Sequence, residues 1–288
     1  DVVADAKASD AKAVPAPPEV GPKPEPTLEP TAPAKPGVDV SALYWASARE
    51  EGSRTTIDVI DVKDPESLMK LADEHGQPDG IGSAFPEAAK LPPGFATGDE
   101  WVVATTTGEK RGKAVGYGAY GGAGEAHFIV VLDTLATGLT AKASAWTGPI
   151  PSLREAKPID MARGPGKALL GLIKAPMAAA AEPAAKAALK GKPIMAKHVS
   201  VIEGRFPNGF THLVTLTRPL APAGEIGADH VGGLLLADAT GRVEAIAPPA
   251  MTINSDTFLY LVDLEGDGID EVIYDDSYYE GSYTMLLT

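Results

Sequence analysis

The segment Phe258–Tyr274, FLYLVDLEGDGIDEVIY, contains the pattern that decides the fold class. Its two ends, Phe258–Val262 and Glu271–Tyr274, are short and rich in aromatic and β-branched residues, which is typical of strands. Between them lies an acidic run with two glycines, Asp263–Asp270, and this composition predicts a turn. We therefore predict a β-hairpin here, followed by a third strand over Ser282–Leu287.

The same alternation of strand-like segments and turn residues recurs along the chain. Pro207-Asn208-Gly209 and Asp238-Ala239-Thr240-Gly241 both lie between β-type segments, and both predict hairpin turns. Further β-type segments lie at Ser41–Ser47, Arg54–Val62, Trp101–Thr107, Lys113–Tyr120, Ala126–Asp133 and Leu139–Trp146. The last four are separated by glycine-containing turns, so we expect consecutive antiparallel strands.

The expected fold class is mainly β, built from antiparallel hairpins or meanders with short helices. We divide the chain into β-rich units at 38–148 and 192–288, joined over 149–191 by a connector rich in alanine and proline. Within the connector, Leu169–Lys190 predicts a helix that Pro176 and Pro183 break into pieces. A shorter helix is expected to start at Asp64-Pro65 and to run towards Gly76.

Residues 1–37 have a different composition from the rest of the chain. Nine of the 26 prolines lie between Pro15 and Pro36, and no aromatic residue interrupts them. Proline lacks an N–H group and biases the residue before it towards extended conformations, so this tail is expected to be extended. We expect residues 14–36 to bind other protein subunits, of the same or a different chain. The alternative is a solvated spacer.

Composition excludes several classes of function. The sequence has 39 acidic and 25 basic residues and a net charge of −14, which argues against duplex nucleic acid as a partner. It has no run of about 18 apolar residues that would predict a transmembrane helix. It also has no cysteine, so disulfides, thiol catalysis and cysteine zinc sites are excluded.

The negative charge is concentrated near the end of the sequence. From Val243 to Thr288 there are ten acidic residues and no lysine or arginine. Folded strands that carry so many carboxylates need something to offset their repulsion, and a bound cation is the natural candidate.

The acidic run from Asp263 to Glu271 has the oxygen pattern of a calcium loop. Carboxylates at alternate positions, a glycine at the sixth position and an acid at the ninth would curl around one hard cation. The segment resembles the calcium loop of FG-GAP/VCBS-type repeats, D-x-D-G-D-G-x-x-D, over some 30 residues and in a single copy. The resemblance implies one structural Ca²⁺ with these ligands: the side chains of Asp263, Glu265, Asp267 and Glu271, and the carbonyl oxygen of Ile269. Asp270, next to Glu271, is an alternative ligand.

An EF-hand shares the first six positions of this loop but requires a bidentate glutamate at the twelfth. That position holds Tyr274, and β-type segments rather than helices flank the loop. A hairpin turn without metal is the remaining alternative.

The combined features favour a non-enzymatic, calcium-stabilised structural or interaction protein, a subunit or accessory of a larger assembly. Because the sequence begins at Asp1 rather than methionine, we expect a removed signal sequence and export to the periplasm, cell surface or extracellular space. One alternative is a secreted hydrolase with a dispersed site, such as a serine with His230 and Asp229. Another is a carbohydrate-binding module that uses Tyr278, Tyr279 and Tyr283.

Overall fold

Six antiparallel strands form a closed barrel in the order β1-β2-β5-β4-β3-β6. The computed structural model describes residues 37–49, 54–59, 94–122, 125–220, 230–278 and 281–288, all within one compact unit that begins at Ala34. The barrel strands are β1 (Tyr44–Arg49), β2 (Arg54–Val59), β3 (Glu100–Thr105), β4 (Gly108–Gly122), β5 (Glu125–Leu132) and β6 (Gly138–Lys142).

The barrel is filled by aromatic and β-branched side chains that alternate along its strands. Trp101 and Val103 of β3 pack with Ile57 of β2 and with Phe128 and Val130 of β5, all with no more than a trace of exposed surface. This period of two is the expected consequence of strand geometry, in which successive side chains point to opposite faces.

A second sheet of four strands has the order β11-β10-β9-β8. Its strands are β8 (Val199–Glu203), β9 (His212–Pro219), β10 (His230–Ala237) and β11 (Val243–Thr252). One face packs against two helices, α1 (Gly164–Ala180) and α2 (Pro183–Leu189), through a shared apolar cluster. Within that cluster Leu169, Ile173 and Met177 recur every four residues along α1, as one buried face of a helix requires.

The third sheet contains the predicted calcium loop and has the order β14-β13-β12-β7. Its strands are β7 (Arg154–Glu155), β12 (Ser255–Val262), β13 (Glu271–Tyr278) and β14 (Gly281–Leu287). Phe258 and Leu261 pack on the second sheet in one cluster, whereas Val262 and Ile273 join barrel residues such as Leu139 in another. The hairpin β12–β13 therefore has buried side chains on both of its faces.

The mainly β, antiparallel fold class with short helices is confirmed. Both predicted hairpin turns connect paired antiparallel strands, β8 with β9 and β10 with β11. At the first of them Asn208 and Gly209 have φ angles of 58° and 74°, the left-handed backbone that these residue types favour.

Two local expectations were wrong. The strand β6 does not pair with its predecessor β5 but closes the barrel between β1 and β3. The helix α1 continues through Pro176, because the burial of Ile173 and Met177 on either side of it outweighs the lost hydrogen bond. The predicted helix near Asp64–Gly76 and the tail before Gly37 lie outside the described residues. The unit boundaries at 148 and 191 stay a prediction.

Candidate functional site: an acidic hairpin turn

The acidic turn joins β12 to β13, whose last paired residues are Val262 and Glu271. Gly266 and Gly268 have φ angles of 63° and 87°, so the left-handed backbone that closes the turn falls on glycines. Leu264 points inward and is only 2% exposed, in the cluster shared with the barrel. The turn is thus anchored to the core, and among its carboxylates Glu265 and Asp267 are exposed.

Three of the four predicted carboxylate ligands accept hydrogen bonds from backbone N–H groups of the turn itself. The bonds run from Gly268 N to Asp263 Oδ2 (3.0 Å), from Ile269 N to Asp267 Oδ1 (2.8 Å) and from Leu264 N to Glu271 Oε2 (2.7 Å). The fourth carboxylate, on Glu265, is exposed. The carboxylates of Asp263 and Asp267 lie close enough to Glu271 for their charges to act on it.

The negative charges of the turn act unfavourably on one another. Burial raises the pKa of Glu271, and the negative charges of Asp263 and Asp267 raise it further, against the lowering effect of its bond from Leu264 N. In addition, Asp263 Oδ1 is shielded from solvent and has no hydrogen-bond partner. A buried carboxylate oxygen without a donor is unfavourable, and a cation is one group that would satisfy it.

No group of three or more histidine, aspartate or glutamate side chains within the described residues is arranged around one metal position. The three carboxylates are therefore neighbours that repel one another rather than a preformed ligand shell. Ile269, whose carbonyl oxygen was the predicted neutral ligand, is half-buried and donates its N–H to Asp267.

Asp270, the alternative ligand, is engaged with two arginines. Its side chain is inaccessible to solvent, Oδ2 accepts from Arg205 N at 2.8 Å, and Oδ1 accepts from the guanidinium groups of Arg154 and Arg205. Burial alone would raise the pKa of Asp270, but the bonds from Arg154 and Arg205 lower it below the ordinary carboxyl value. Asp270 N also donates to Arg205 O at 2.7 Å, so the two residues are bridged through the backbone as well.

Arg205 also reaches the turn directly. Its guanidinium lies 3.7 Å from Asp263 Oδ2. Arginine side chains from other elements thus offset part of the charge that the sequence analysis assigned to a bound cation. The sequence could not indicate this, because Arg154 and Arg205 lie 116 and 65 positions from Asp270 along the chain.

A second pair of carboxyl groups lies at the other end of the same hairpin. Asp256 and Asp276 are directly opposite each other in the β12–β13 ladder, and Asp276 Oδ1 is shielded from solvent without a hydrogen-bond partner. The sequence analysis missed this pair. The alternation of side chains along a strand could have predicted it, because residues two positions apart share a face. Asp256 therefore shares a face with buried Phe258, and Asp276 shares one with Tyr274.

The remaining candidate residues are only partly described. Tyr283 is half-buried on β14, where it pairs with Asp276, whereas Tyr279 and the side chain of Tyr278 lie outside the description. His230 is 8% exposed, but Asp229, its suggested partner in a catalytic triad, lies outside the described residues.

In the described part of the chain no helix is long and apolar enough to cross a membrane. No family model, no curated protein and no solved structure matches this chain.

Proposed function

We propose that this chain is a non-catalytic structural or interaction protein that is stabilised by one calcium ion in the turn Asp263–Glu271. The observation that carries the proposal is the buried, unpartnered oxygen Asp263 Oδ1. It lies in a turn whose carboxylates follow the alternate spacing of calcium loops. Hard divalent cations bind such oxygens in flexible geometry with six to eight ligands.

The hydrogen bonds of the turn are compatible with an added cation. Each of the three bonds described above engages one oxygen of its carboxylate, on Asp263, Asp267 and Glu271. The second oxygens, together with Glu265 and the carbonyl of Ile269, would supply the ligands. Burial raises the pKa of Glu271, and repulsion by Asp263 and Asp267 adds to this; the ion would offset the repulsion.

Arg205 does not replace the cation in this proposal. Its side chain is 60% exposed, and the same guanidinium is shared between Asp263 Oδ2 and Asp270 Oδ1. A solvated and shared guanidinium contributes little to an exposed pair, and it leaves Asp263 Oδ1 without a partner.

The proposal also covers where the protein acts and which segment binds its partners. We place the protein outside the cytoplasmic membrane, where millimolar calcium suits a weak structural site. We place its partner contacts on the proline-rich residues 14–36. Sedimentation of the full chain beside a variant with residues 14–36 replaced by glycine and serine tests self-association. An unchanged sedimentation coefficient would leave only partners of a different chain.

Calcium titration with thermal unfolding tests the metal site. Millimolar Ca²⁺ should raise the Tm by several degrees relative to EDTA, because a ligand that binds only the folded state stabilises it. Asp263→Asn keeps the size of the side chain but removes its charge, so this variant should lose the calcium response. Glu244→Gln, at an exposed site on β11, should keep the response in full.

Isothermal titration calorimetry with CaCl₂ provides the direct readout. We expect one site that Asp263→Asn weakens at least tenfold. A wild-type Tm that is the same in EDTA and in 5 mM calcium, with no heat of binding, would refute the calcium site.

A further inference from the structure

At the open end of the β12–β13 hairpin, two half-buried aspartates lie opposite each other. Asp256 and Asp276 are cross-strand partners, and so are Phe258 and Tyr274 two residues further along. Phe258 and Tyr274 both pack in the cluster between the second and third sheets. Side chains two positions apart on a strand share a face, so the two carboxyls lie at the margin of this core.

The neighbouring polar groups connect the two sheets. Asn254, in the link between β11 and β12, donates from Nδ2 to Asp276 Oδ2 at 3.0 Å. The backbone carbonyl of Asn254 contacts Nε2 of His230 on β10, so this ring nitrogen must carry the proton. Asn254 N donates to Thr252 Oγ1 at 3.0 Å. Asp276 is therefore attached to the second sheet through one asparagine.

The charged and titratable groups around the pair are few. They are His230 from β10, Tyr274 on β13 itself, and Tyr283, which pairs with Asp276 from β14. Asp275 points to the opposite face, where it accepts a bond from Thr284. Within the described residues, neither Asp256 nor Asp276 forms a salt bridge with lysine or arginine.

We propose that Asp256 holds a proton that its carboxyl donates to Asp276 across the ladder, and that this proton stabilises the junction of the two four-stranded sheets under mildly acidic conditions. A protonated Asp256 carboxyl supplies the donor that the buried Asp276 Oδ1 lacks. An O–H donor to a carboxylate forms a short, charge-assisted bond. When Asp256 is ionised, the donor to Asp276 Oδ1 is lost, and two negative charges repel each other across the ladder beside the bond to Asn254.

The direction of the pKa shift agrees with this arrangement. Burial first, and the charge of Asp276 second, raise the pKa of Asp256 from 3.8 to about 6, against the lowering effect of His230. Since the folded-state pKa lies above the unfolded value, the contribution of the proton is complete below about pH 4. It is lost as the pH rises through about 6. Because solvent does not reach Asp276 Oδ1, the pair suits a role in stability rather than in catalysis on a substrate.

Asp256→Asn tests the proposal, with all samples in EDTA so that the result does not depend on the calcium site. Asparagine stays neutral at every pH, and its amide can donate to Asp276 Oδ1. The variant should therefore exceed the wild-type Tm by several degrees at pH 7.5, and this advantage should disappear at pH 4.5. Asp275→Asn, on the opposite face of β13, should shift the Tm equally at both pH values.

An equal Tm difference between Asp256→Asn and wild type at the two pH values would overturn the proposal. A second measurement covers a variant that fails to fold. Carbon-detected NMR of the wild-type carboxyl groups should show one aspartate with a midpoint near pH 6. Midpoints below about pH 5 for every aspartate would also overturn it.

Discussion

The two ends of the β12–β13 hairpin both hold aspartates, buried at the turn and half-buried at the open end, and their surroundings have opposite effects. At the turn, Asp270 is surrounded by the guanidinium groups of Arg154 and Arg205, and its pKa is lowered. At the open end, no arginine among the described residues forms a salt bridge with Asp256 or Asp276, and burial together with the charge of Asp276 raises the pKa of Asp256 to about 6. The difference arises from the arginines that other elements bring to the turn, and from burial and a cross-strand carboxylate at the open end.

This contrast shows that an acidic segment is not one electrostatic environment. Ten carboxylates in the last 46 residues predict repulsion on average. The pKa of each carboxyl group, however, depends on its immediate neighbours. Guanidinium groups stabilise the ionised form of Asp270, whereas burial and, after it, a neighbouring carboxylate stabilise the protonated form of Asp256. The two ends should therefore respond to mutation and to pH with opposite signs.

The largest effect should come from Asp270→Ala. The substitution leaves Arg205 N without its acceptor and removes the shared partner of two guanidinium groups. We expect a loss of about 3 kcal/mol in the free energy of unfolding at pH 7, measured by urea denaturation. The folded-state pKa of Asp270 lies below the unfolded value, so its contribution is present above about pH 4. The difference from wild type should narrow as the pH falls below that value.

Asp238→Ala is the matched control for this prediction. Asp238 also accepts bonds from an arginine, Arg242, and from Thr240, but it lies in a solvent-exposed turn between β10 and β11. Asp238→Ala should lower the free energy of unfolding less than Asp270→Ala does. Equal losses of unfolding free energy would show that the two arginines at Asp270 stabilise the fold no more than the exposed pair at Asp238.

An intermediate effect is expected from Arg205→Leu. The backbone bonds of Arg205 to Asp270 remain, and only the guanidinium, which is 60% exposed, is removed. We expect a loss of about 1 kcal/mol in EDTA, because exposed ion pairs are screened by solvent. Millimolar calcium should reduce this loss if the proposed ion takes over the charge beside Asp263.

Lys157→Leu provides the comparison for Arg205→Leu. Lys157 is 81% exposed and lies 3.8 Å from Glu155, so its removal should change stability by less than about 0.5 kcal/mol. A loss for Arg205→Leu as small as this would mean that Arg154 alone offsets the charge of Asp270.

Local sequence signals predicted the local parts of this fold. The hairpins at Pro207–Gly209 and Asp238–Gly241 follow from residues that favour turns, and they require no knowledge of distant contacts. The acidic turn was placed correctly between β12 and β13 for the same reason. Its hydrogen bonds connect residues two to seven positions apart, a range that a spacing pattern can capture.

The closure of the barrel could not be predicted in this way. The strand β6 pairs with β1 and β3, and a side chain at Gly138 would lie 1.9 Å from the carbonyl oxygen of Ala104. A sequence contains glycines for many reasons, and only the assembled barrel identifies this one as a close approach. The arginine partners of Asp270 were missed for the same physical reason, because they meet it only through tertiary packing, whereas the Asp256–Asp276 pair follows from the register of a predicted hairpin.

The smallest effect should come from the face of the open end that lies opposite the Asp256–Asp276 pair. Thr284 on β14 donates from Oγ1 to Asp275 Oδ1 at 2.8 Å, next to but facing away from the Asp256–Asp276 pair. Thr284→Val keeps the shape of the side chain and removes this donor. We expect a loss of about 0.5 kcal/mol, since water can replace the hydroxyl at a partly exposed carboxylate. Urea denaturation at pH 7 measures this loss, and Thr284→Ser should restore most of it. A loss above 2 kcal/mol would mean that both faces of β13 contribute equally to stability. The contrast between the two hairpin ends would then extend beyond the carboxyls of Asp256 and Asp276.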